Sequence, residues 1–179
     1  VYITSRDYYG QMPDLAAIAE VCHRSGKLLL VDNAHGAHLG SFRVALHPMA
    51  LGADLCCDSL HKTLPSLTGA ALLHLASPAL YGDAKYAMSL FGSTSPSYLI
   101  MLSAETALED LETKDDRWLL LSARVDAMRE MAESLGYCLT RTWMRDPARL
   151  SLGFQPLGYT GESFGAFART AGVEPEYVS

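Results

Sequence analysis

The sequence predicts an α/β fold built around a mainly parallel β-sheet with flanking helices. Three observations support this class. A strand-like segment, a helix and a second strand-like segment follow one another within the first 32 residues, which is the order of a βαβ unit. The second strand-like segment is continuously apolar, as is typical of a strand buried in a parallel sheet. Two further short apolar runs follow before the pattern changes to helical periodicity.

The βαβ unit opens with strand-like residues 1–4. Pro13 and Asp14 mark the start of a helix, because proline suits a first helical turn and the helix dipole favours a carboxylate there. The apolar side chains that follow recur at helical spacing, at Leu15, Ile18, Ala19 and Cys22. Gly26 is expected to end this helix. The apolar segment 27–31 is then the second strand, and its crossover should be right-handed.

The rest of the chain divides into strand-like and helix-like segments. Short apolar runs predict strands at residues 53–57, 69–74, 137–140 and 149–153. Helical periodicity predicts helices at residues 81–90, 97–111, 118–135 and 162–170. The charged segment 112–116 predicts a boundary, with residues 1–112 in one domain and residues 113–179 at the start of a smaller α+β domain.

Composition and charge exclude several classes of function. The 179 residues are 49% hydrophobic and 19% charged, which is the composition of a globular protein. The formal net charge is −6 and no basic cluster is present, so nucleic acid is not expected as a partner. The apolar runs fall far short of the roughly 20 residues of a membrane helix, and no signal peptide is recognisable. We therefore expect a cytoplasmic protein that does not enter a membrane.

Three polar segments follow strand-like or helical runs. Residues 32–38 supply a carboxylate and two histidines, and residues 58–63 supply a serine, a histidine and a lysine. Residues 91–98 form a hydroxyl-rich turn before a helix, whose free N–H groups can bind an anion. Ligands gather at the carboxyl ends of strands in parallel α/β sheets. Together these segments supply what pyridoxal 5′-phosphate requires: a lysine, a carboxylate and phosphate-binding hydroxyls.

Lys62 and Asp32 have complementary chemistry toward this cofactor. A lysine amine condenses with the cofactor aldehyde as a Schiff base, and a carboxylate keeps the pyridine nitrogen protonated. The ring then accepts the electrons released when a bond at the substrate Cα breaks. The two residues are 30 positions apart, which suits two neighbouring strands that deliver both side chains to one crevice.

Several motifs, spread over nearly the whole chain, carry a resemblance to a known family. They are Tyr8-Tyr9-Gly10, residues 31–38, Gly52-Ala53-Asp54, residues 59–65, Leu67-Thr68-Gly69, residues 93–98, Asp146-Pro147, Arg149-Leu150 and residues 172–176. On these motifs the chain resembles the Orn/Lys/Arg decarboxylase family of the aspartate-aminotransferase-like, fold-type-I pyridoxal-phosphate enzymes. The turn at residues 93–98 and the late Asp-Pro and Glu-Pro-Glu segments narrow the resemblance to this family.

The resemblance implies the roles of particular residues. Lys62 would be the Schiff-base lysine and Asp32 the partner of the pyridine nitrogen, with His61 or Lys62 returning the proton to Cα. Ser59 and His61 would lie near the cofactor phosphate, and His35 close to the cofactor. The hydroxyl turn would reach the phosphate of a neighbouring subunit through Ser93, Thr94 and Ser95.

The resemblance also implies the substrate, the assembly and the domains. The substrate would be ornithine, lysine or arginine, converted to its amine and CO₂. The enzyme would be a homo-oligomer with its active site at a dimer interface. Residues 1–112 would be the C-terminal portion of the cofactor-binding large domain, and residues 113–179 the beginning of the small C-terminal domain. Because the chain opens on Val1 within a strand and lacks the family's upstream phosphate loop, we expect a piece of a longer protein.

Two alternatives stay open. The first is another fold-type-I reaction, such as that of an aminotransferase or an α-oxoamine synthase. These enzymes share the aspartate and the lysine, and they hold the substrate carboxylate with a small-domain arginine, for which the candidates are Arg141, Arg145 and Arg149. The second alternative is a catalytically silent fragment.

The histidines and cysteines predict no metal site. His35 and His38 are three positions apart, but no paired Cys-x-x-Cys or His-Glu-x-x-His motif is present. The cysteines are expected to be buried, reduced thiols, since free cysteine behaves as a small hydrophobe. They are Cys22, Cys56, Cys57 and Cys138.

Overall fold

A four-stranded sheet forms the centre of the computed structural model, which describes residues 1–42, 45–113, 115–139 and 144–178. Its strands are β1 (Tyr2–Thr4), β3 (Leu30–Asp32), β4 (Leu55–Ser59) and β5 (Ala71–Leu75), in the order β1-β3-β4-β5. The β1–β3 and β3–β4 pairs are parallel, whereas β5 runs antiparallel to β4. The predicted α/β class with a mainly parallel sheet is therefore confirmed.

Helix α1 (Leu15–Arg24) connects β1 to β3 and completes the predicted βαβ unit. The Asp14 side chain accepts a hydrogen bond from the N–H of Ala17 at 3.0 Å, so it caps the first turn. The helix buries its apolar stripe against the central strands. The buried residues of this core are Leu15, Ala19, Cys22, Leu29, Val31, Ala53 and Cys56.

A second core joins the end of the sheet to the following helices. After β4 the chain forms a single helical turn, α2 (Leu60–Thr63). Helix α3 (Tyr81–Phe91) buries none of its side chains, whereas α4 (Tyr98–Thr113) packs on the sheet end and contributes the buried Ala107. The other buried members of this core are Ala37, Leu60, Leu64 and Ala70.

The charged segment 112–116 is mostly helical. Helix α4 ends at Thr113 and α5 (Asp115–Ser134) begins two positions later, so the segment is not an extended link. Among the described residues, no helix combines the length and the apolar character needed to cross a membrane.

The last part of the chain contains short strands and one helix. β6 (Cys138–Leu139) pairs antiparallel with β8 (Leu152–Gly153), where the sequence predicts longer strands. β7 (Met144–Arg145) pairs with β2 (Gln11–Met12), a pair that the sequence does not predict because two-residue strands carry no periodic pattern. Helix α6 (Gly161–Thr170) begins with a capping box between Thr160 and Ser163. Thr140, at the end of one predicted strand, lies outside the described residues.

A buried ion network joins the segment after β1 to the segment after β7. Arg6 Nε lies 2.5 Å from Asp146 Oδ2, and both side chains are 1% exposed. His38 Nε2 donates to Asp146 Oδ1 at 2.9 Å, and its ring stacks on Trp118 with 5.0 Å between centroids. Burial opposes ionisation of Asp146, but the hydrogen bond from His38 and the charge of Arg6 outweigh it and hold the pKa of Asp146 below its usual range.

Removal of the Asp146 carboxylate should strongly destabilise the fold. In the Asp146→Ala variant the Arg6 guanidinium stays buried without its anion, which typically costs about 3–5 kcal/mol. Urea unfolding followed by circular dichroism measures this loss. The matched control is Asp126→Ala. This change removes the ion pair between Arg129 and the Asp126 carboxylate, which is 58% exposed. It should lower the free energy of unfolding by roughly 0–1 kcal/mol. Equal losses in the two variants would contradict the role given to the buried network.

The contribution of Asp146 should also depend on pH. Because its pKa is lower in the folded than in the unfolded chain, its stabilisation is complete above the ordinary aspartate value of about 3.9 and is lost as the pH falls through the folded value. The difference in unfolding free energy between the protein and the Asp146→Asn variant should therefore shrink below about pH 4. Urea titrations at a series of pH values from neutral downward measure it. A difference in unfolding free energy that stays constant across the pH series would contradict the predicted pH dependence.

Candidate active site

The carboxyl edge of β3 and β4 carries the residues of the candidate site. Asp32 is the last residue of β3 and pairs in register with Cys57 of β4, so the two side chains point to the same face of the sheet. β4 ends at Ser59 and continues directly into α2, which carries His61 and Lys62. The parallel pairing of β3 and β4 therefore brings both predicted polar segments to one edge.

Lys62 lies next to His35 at this edge. Lys62 is exposed, and its Nζ lies 3.4 Å from His35 Nε2. Partial burial lowers the pKa of His35, and the positive charges of Lys62 and Arg6 lower it further. The imidazole is therefore mainly neutral at neutral pH and accepts the hydrogen bond from the Lys62 ammonium group. The Arg6 guanidinium also donates to the backbone carbonyl of His35, which ties this turn to the buried ion network.

Asp32 is oriented by two hydrogen bonds. Its Oδ1 accepts from the N–H of Ala34 at 3.0 Å, and its Oδ2 accepts from the Tyr2 hydroxyl at 3.2 Å. The pKa of the Cys57 thiol is affected by the charges of both Asp32 and Lys62. Desolvation and the Asp32 carboxylate raise the pKa of Cys57, whereas the Lys62 ammonium group opposes this. The two hydrogen bonds hold the Asp32 carboxylate in a defined orientation at the end of β3.

The prediction for the cysteines is confirmed in part for the three whose side chains the structure describes, and the side chain of Cys138 lies outside the described part of the chain. Cys22 and Cys56 are buried and reduced, as the sequence predicts. Cys57 is exposed, so the prediction is wrong for this residue. The reason is the alternation of the strand: Cys56 points into the core under α1, and the next residue points to the open face that carries Asp32.

Tyr8 and Arg149 extend the site. The sequence analysis assigned no role to Tyr8, whereas it named Arg149 as a candidate for binding a substrate carboxylate. The Tyr8 ring lies edge-on to His35, with 5.7 Å between centroids. The Arg149 guanidinium lies 5.4 Å from the centre of the Tyr8 ring and donates to the Tyr8 carbonyl at 2.7 Å. Glu176 accepts from the Tyr8 hydroxyl at 3.3 Å and lies 3.4 Å from Arg149. These three residues line a cavity of about 310 Å³.

The other predicted site residues are Ser59, His61 and those of the hydroxyl turn. Ser59 is partly buried at the junction of β4 and α2. The His61 ring faces the turn before β5, where its Nδ1 lies 3.2 Å from the Ala70 carbonyl oxygen and 3.4 Å from the Gly69 nitrogen. The hydroxyl turn lies between α3 and α4, and all three of its predicted phosphate-binding residues are exposed. They are Ser93, Thr94 and Ser95.

The hydroxyl turn is held by a local hydrogen bond. Ser93 Oγ accepts a hydrogen bond from the N–H of Ser95 at 3.1 Å, which is a local contact of the turn. Among the described residues, no hydrogen bond joins the turn to Asp32 or to Lys62. The structure therefore places Lys62 beside His35 and ends β3 at Asp32 on the same edge of the sheet.

Comparison with known proteins identifies the family. The sequence model of the family described as Orn/Lys/Arg decarboxylase, major domain, matches residues 1–151. The chain belongs to the Orn/Lys/Arg decarboxylase family. This confirms the resemblance drawn from the motifs.

This decarboxylase-family chain is similar to several bacterial proteins. It is 34% identical over 140 residues to the uncharacterized protein YaaO of Bacillus subtilis, covering 74% of this chain and 29% of that protein. It is 29% identical over 166 residues to an arginine decarboxylase of Halalkalibacterium halodurans, covering 86% of this chain and 34% of that enzyme. The chain spans about a third of the length of these curated relatives.

A solved structure supports the fold class. The cystathione gamma lyase CalE6 from Micromonospora echinospora superposes with a TM-score of 0.55 at 20% identity, over 70% of this chain and 32% of that one. At this level of identity the likeness concerns the fold alone. Together with the family match, it confirms the predicted fold-type-I architecture.

Gly36 allows the turn that carries His35 to pack against a buried amide. Asn33 is fully buried, and its Nδ2 donates to Asp58 Oδ1 at 2.7 Å. A Cβ atom built on Gly36 would lie 2.1 Å from Asn33 Oδ1, a distance far inside van der Waals contact. Gly40, four positions later, has no atom within 4 Å of such a Cβ. A side chain is therefore excluded at Gly36 and tolerated at Gly40.

The Gly36→Ala variant should be destabilised and should lose the fixed position of His35. Overpacking of this kind costs about 1–3 kcal/mol, which urea unfolding measures. The Gly40→Ala control should stay within about 0.5 kcal/mol of the wild type. Equal stability of the two variants would show that the Asn33 side chain yields without cost.

Proposed function

We propose that the protein that contains this chain is a pyridoxal-phosphate-dependent decarboxylase of a basic amino acid, with arginine, lysine and ornithine as candidate substrates. The products would be the corresponding amine and CO₂. The observation that carries the proposal is that β3 ends at Asp32 and β4 continues into the helical turn of Lys62 at the same carboxyl edge of the sheet. Membership of the decarboxylase family and the similarity to arginine decarboxylases support it.

The residues at this edge fit the cofactor. Asp32 presents a carboxylate whose two oxygens are already oriented by Ala34 and Tyr2, as a partner for a pyridinium nitrogen needs. Lys62 is exposed, so its amine is accessible to an aldehyde. When bound, the cofactor supplies a conjugated ring that accepts the electrons released at the substrate Cα. His35 and Ser59 are the further proposed contacts at this edge.

Side chains of this chain would then supply the charge, the attachment point and the proton that the reaction needs. Asp32 would supply a negative charge for the ring nitrogen, and Lys62 would be the covalent attachment point. Lys62 or His61 would return a proton to Cα after CO₂ departs. The neutral imidazole of His35 lies 3.4 Å from the Lys62 amine and would accept a hydrogen bond from it.

We also propose that the enzyme is a cytoplasmic homo-oligomer with its active site between subunits. Helices α3 and α4 expose large apolar side chains near the hydroxyl turn, including Phe91 at 89% and Tyr98 at 83%. Exposed apolar surface of this kind is typical of an interface. Ser93, Thr94 and Ser95 are exposed beside it and would serve the phosphate of a neighbouring subunit. The division into residues 1–112 and 113–179 stays a prediction.

The second candidate function is a reaction in which the substrate keeps its carboxylate. The position of Arg149 favours it. This guanidinium lies beside Tyr8 at the edge of the site, where it would be placed to bind a carboxylate. Arg145 lies nearby in β7, whereas Arg141 lies outside the described residues. An aminotransferase would give a keto acid rather than an amine and CO₂.

The Lys62→Ala variant should abolish the function while leaving the fold intact. The full-length gene product, incubated with pyridoxal phosphate, should show the absorbance band of a cofactor joined to a lysine as a Schiff base. Borohydride reduction should make this attachment irreversible, and the variant should lack the band. Labelled CO₂ should be released from one of the three basic amino acids by the wild type only. The control is Lys85→Ala, which changes an exposed lysine on α3 and should keep both signals.

The products distinguish the two candidate functions. An amine together with CO₂ supports the decarboxylase, and a keto acid without CO₂ supports the transferase. A borohydride-fixed band that persists in the Lys62→Ala variant would move the attachment point to another lysine and overturn the proposed site.

A further inference from the structure

A second cluster of polar side chains lies on the sheet face opposite Asp32. His74 of β5 pairs in register with Cys56, and Asp58 lies two residues further along β4, so both point to the face covered by α1. His47 approaches from the loop before the helical turn at Pro48–Leu51. This cluster takes no part in the proposed decarboxylation.

The three side chains converge on one point. His47 Nε2 lies 2.9 Å from Asp58 Oδ2, and His74 Nε2 lies 2.8 Å from the same oxygen. The two imidazole rings are 5.2 Å apart between centroids and steeply inclined to each other. All three ligand atoms lie within 4.8 Å of one another. Two imidazole nitrogens and one carboxylate oxygen therefore lie close enough together to be ligands of one ion.

The cluster is built into the fold rather than assembled from mobile surface groups. The Asp58 side chain is 3% exposed and that of His47 is 12% exposed. The second oxygen of Asp58 is held by the Asn33 amide at 2.7 Å, as the outer partner of a ligating carboxylate commonly is. His74 is 33% exposed, so one side of the cluster is open to solvent and provides an entry path.

We propose that His47, Asp58 and His74 bind a divalent transition-metal ion, with solvent in the remaining coordination position. Two imidazoles and a carboxylate suit Zn²⁺ and related ions, whereas Mg²⁺ and Ca²⁺ prefer ligand sets made of oxygen alone. The sequence predicts no metal site because these residues follow no compact motif. Strand pairing and the 47–51 loop bring them together.

Binding requires a small rearrangement of the cluster. Zinc bonds of about 2.0 Å at tetrahedral angles place ligand atoms roughly 3.3 Å apart, so the contacts of 2.8 and 2.9 Å must each open slightly. Each Nε2 must present its lone pair to the ion, which moves the ring proton to Nδ1. His47 then gives up the long hydrogen bond of 3.3 Å from the N–H of Met49 to its Nδ1.

The test is titration of the metal-free full-length gene product with Zn²⁺ by isothermal calorimetry at neutral pH. We expect one high-affinity Zn²⁺ per chain at this cluster. His74→Ala and Asp58→Asn should each weaken binding by about 10-fold or more, because loss of a second-shell partner alone costs roughly 10–100-fold. The matched control is His23→Ala, since His23 Nε2 lies 2.8 Å from Asp54 Oδ2 in a pair that has a single histidine. This control should bind Zn²⁺ like the wild type.

Spectroscopy of the wild type makes the test independent of variant folding. Zinc X-ray absorption should show only nitrogen and oxygen neighbours at roughly 2.0 Å. Sulfur neighbours at roughly 2.3 Å would place the ion on a cysteine and overturn the proposal. Absence of high-affinity binding, or equal binding by His74→Ala and the wild type, would also overturn it. None of these readouts depends on decarboxylase activity, so failure here leaves the proposed function intact.

Discussion

The parallel register of β3 and β4 is the constraint on which the candidate site depends. It sets Asp32 opposite Cys57 and ends both strands at one edge, from which α2 carries Lys62. The register is held by burial, because Val31 and Cys56 pack under α1 on the opposite face. A slip of one residue would turn every side chain of a strand to the other face. The apolar core under α1 therefore determines which polar groups meet at the open edge.

Two buried carboxylates reinforce this arrangement from outside the site. Asp146 compensates the buried charge of Arg6, and Arg6 also donates to the His35 carbonyl, so residues near the end of the chain help to position the turn beside Lys62. Asp58 accepts from Asn33 and thereby ties the end of β4 to the residue that follows Asp32. A buried polar group without partners is costly, so each network admits few alternative arrangements.

Strand β4 presents different chemistry on its two faces. Cys57 lies on the open face with Asp32, and the adjacent Asp58 lies on the opposite face with His47 and His74. The distance between the two groups of residues along the chain is short, but the sheet separates them. A change at Asp58 would therefore affect the proposed cofactor site through the strand backbone and Asn33, without contact with the cofactor.

The sequence by itself determined the α/β class, the βαβ unit, most helices and the family, because these follow from local periodicity and short motifs. It also singled out Asp32 and Lys62, since polar residues directly after buried strands mark the ligand-binding edge of such sheets. The roles of these two residues and of the hydroxyl turn stay predictions. Only the tertiary structure decided the β2–β7 pair, the exposure of Cys57 and the cluster around Asp58. The contact of His38 with Asp146 spans 108 positions, and no local pattern encodes such a distance because it is set by the packing of the whole chain.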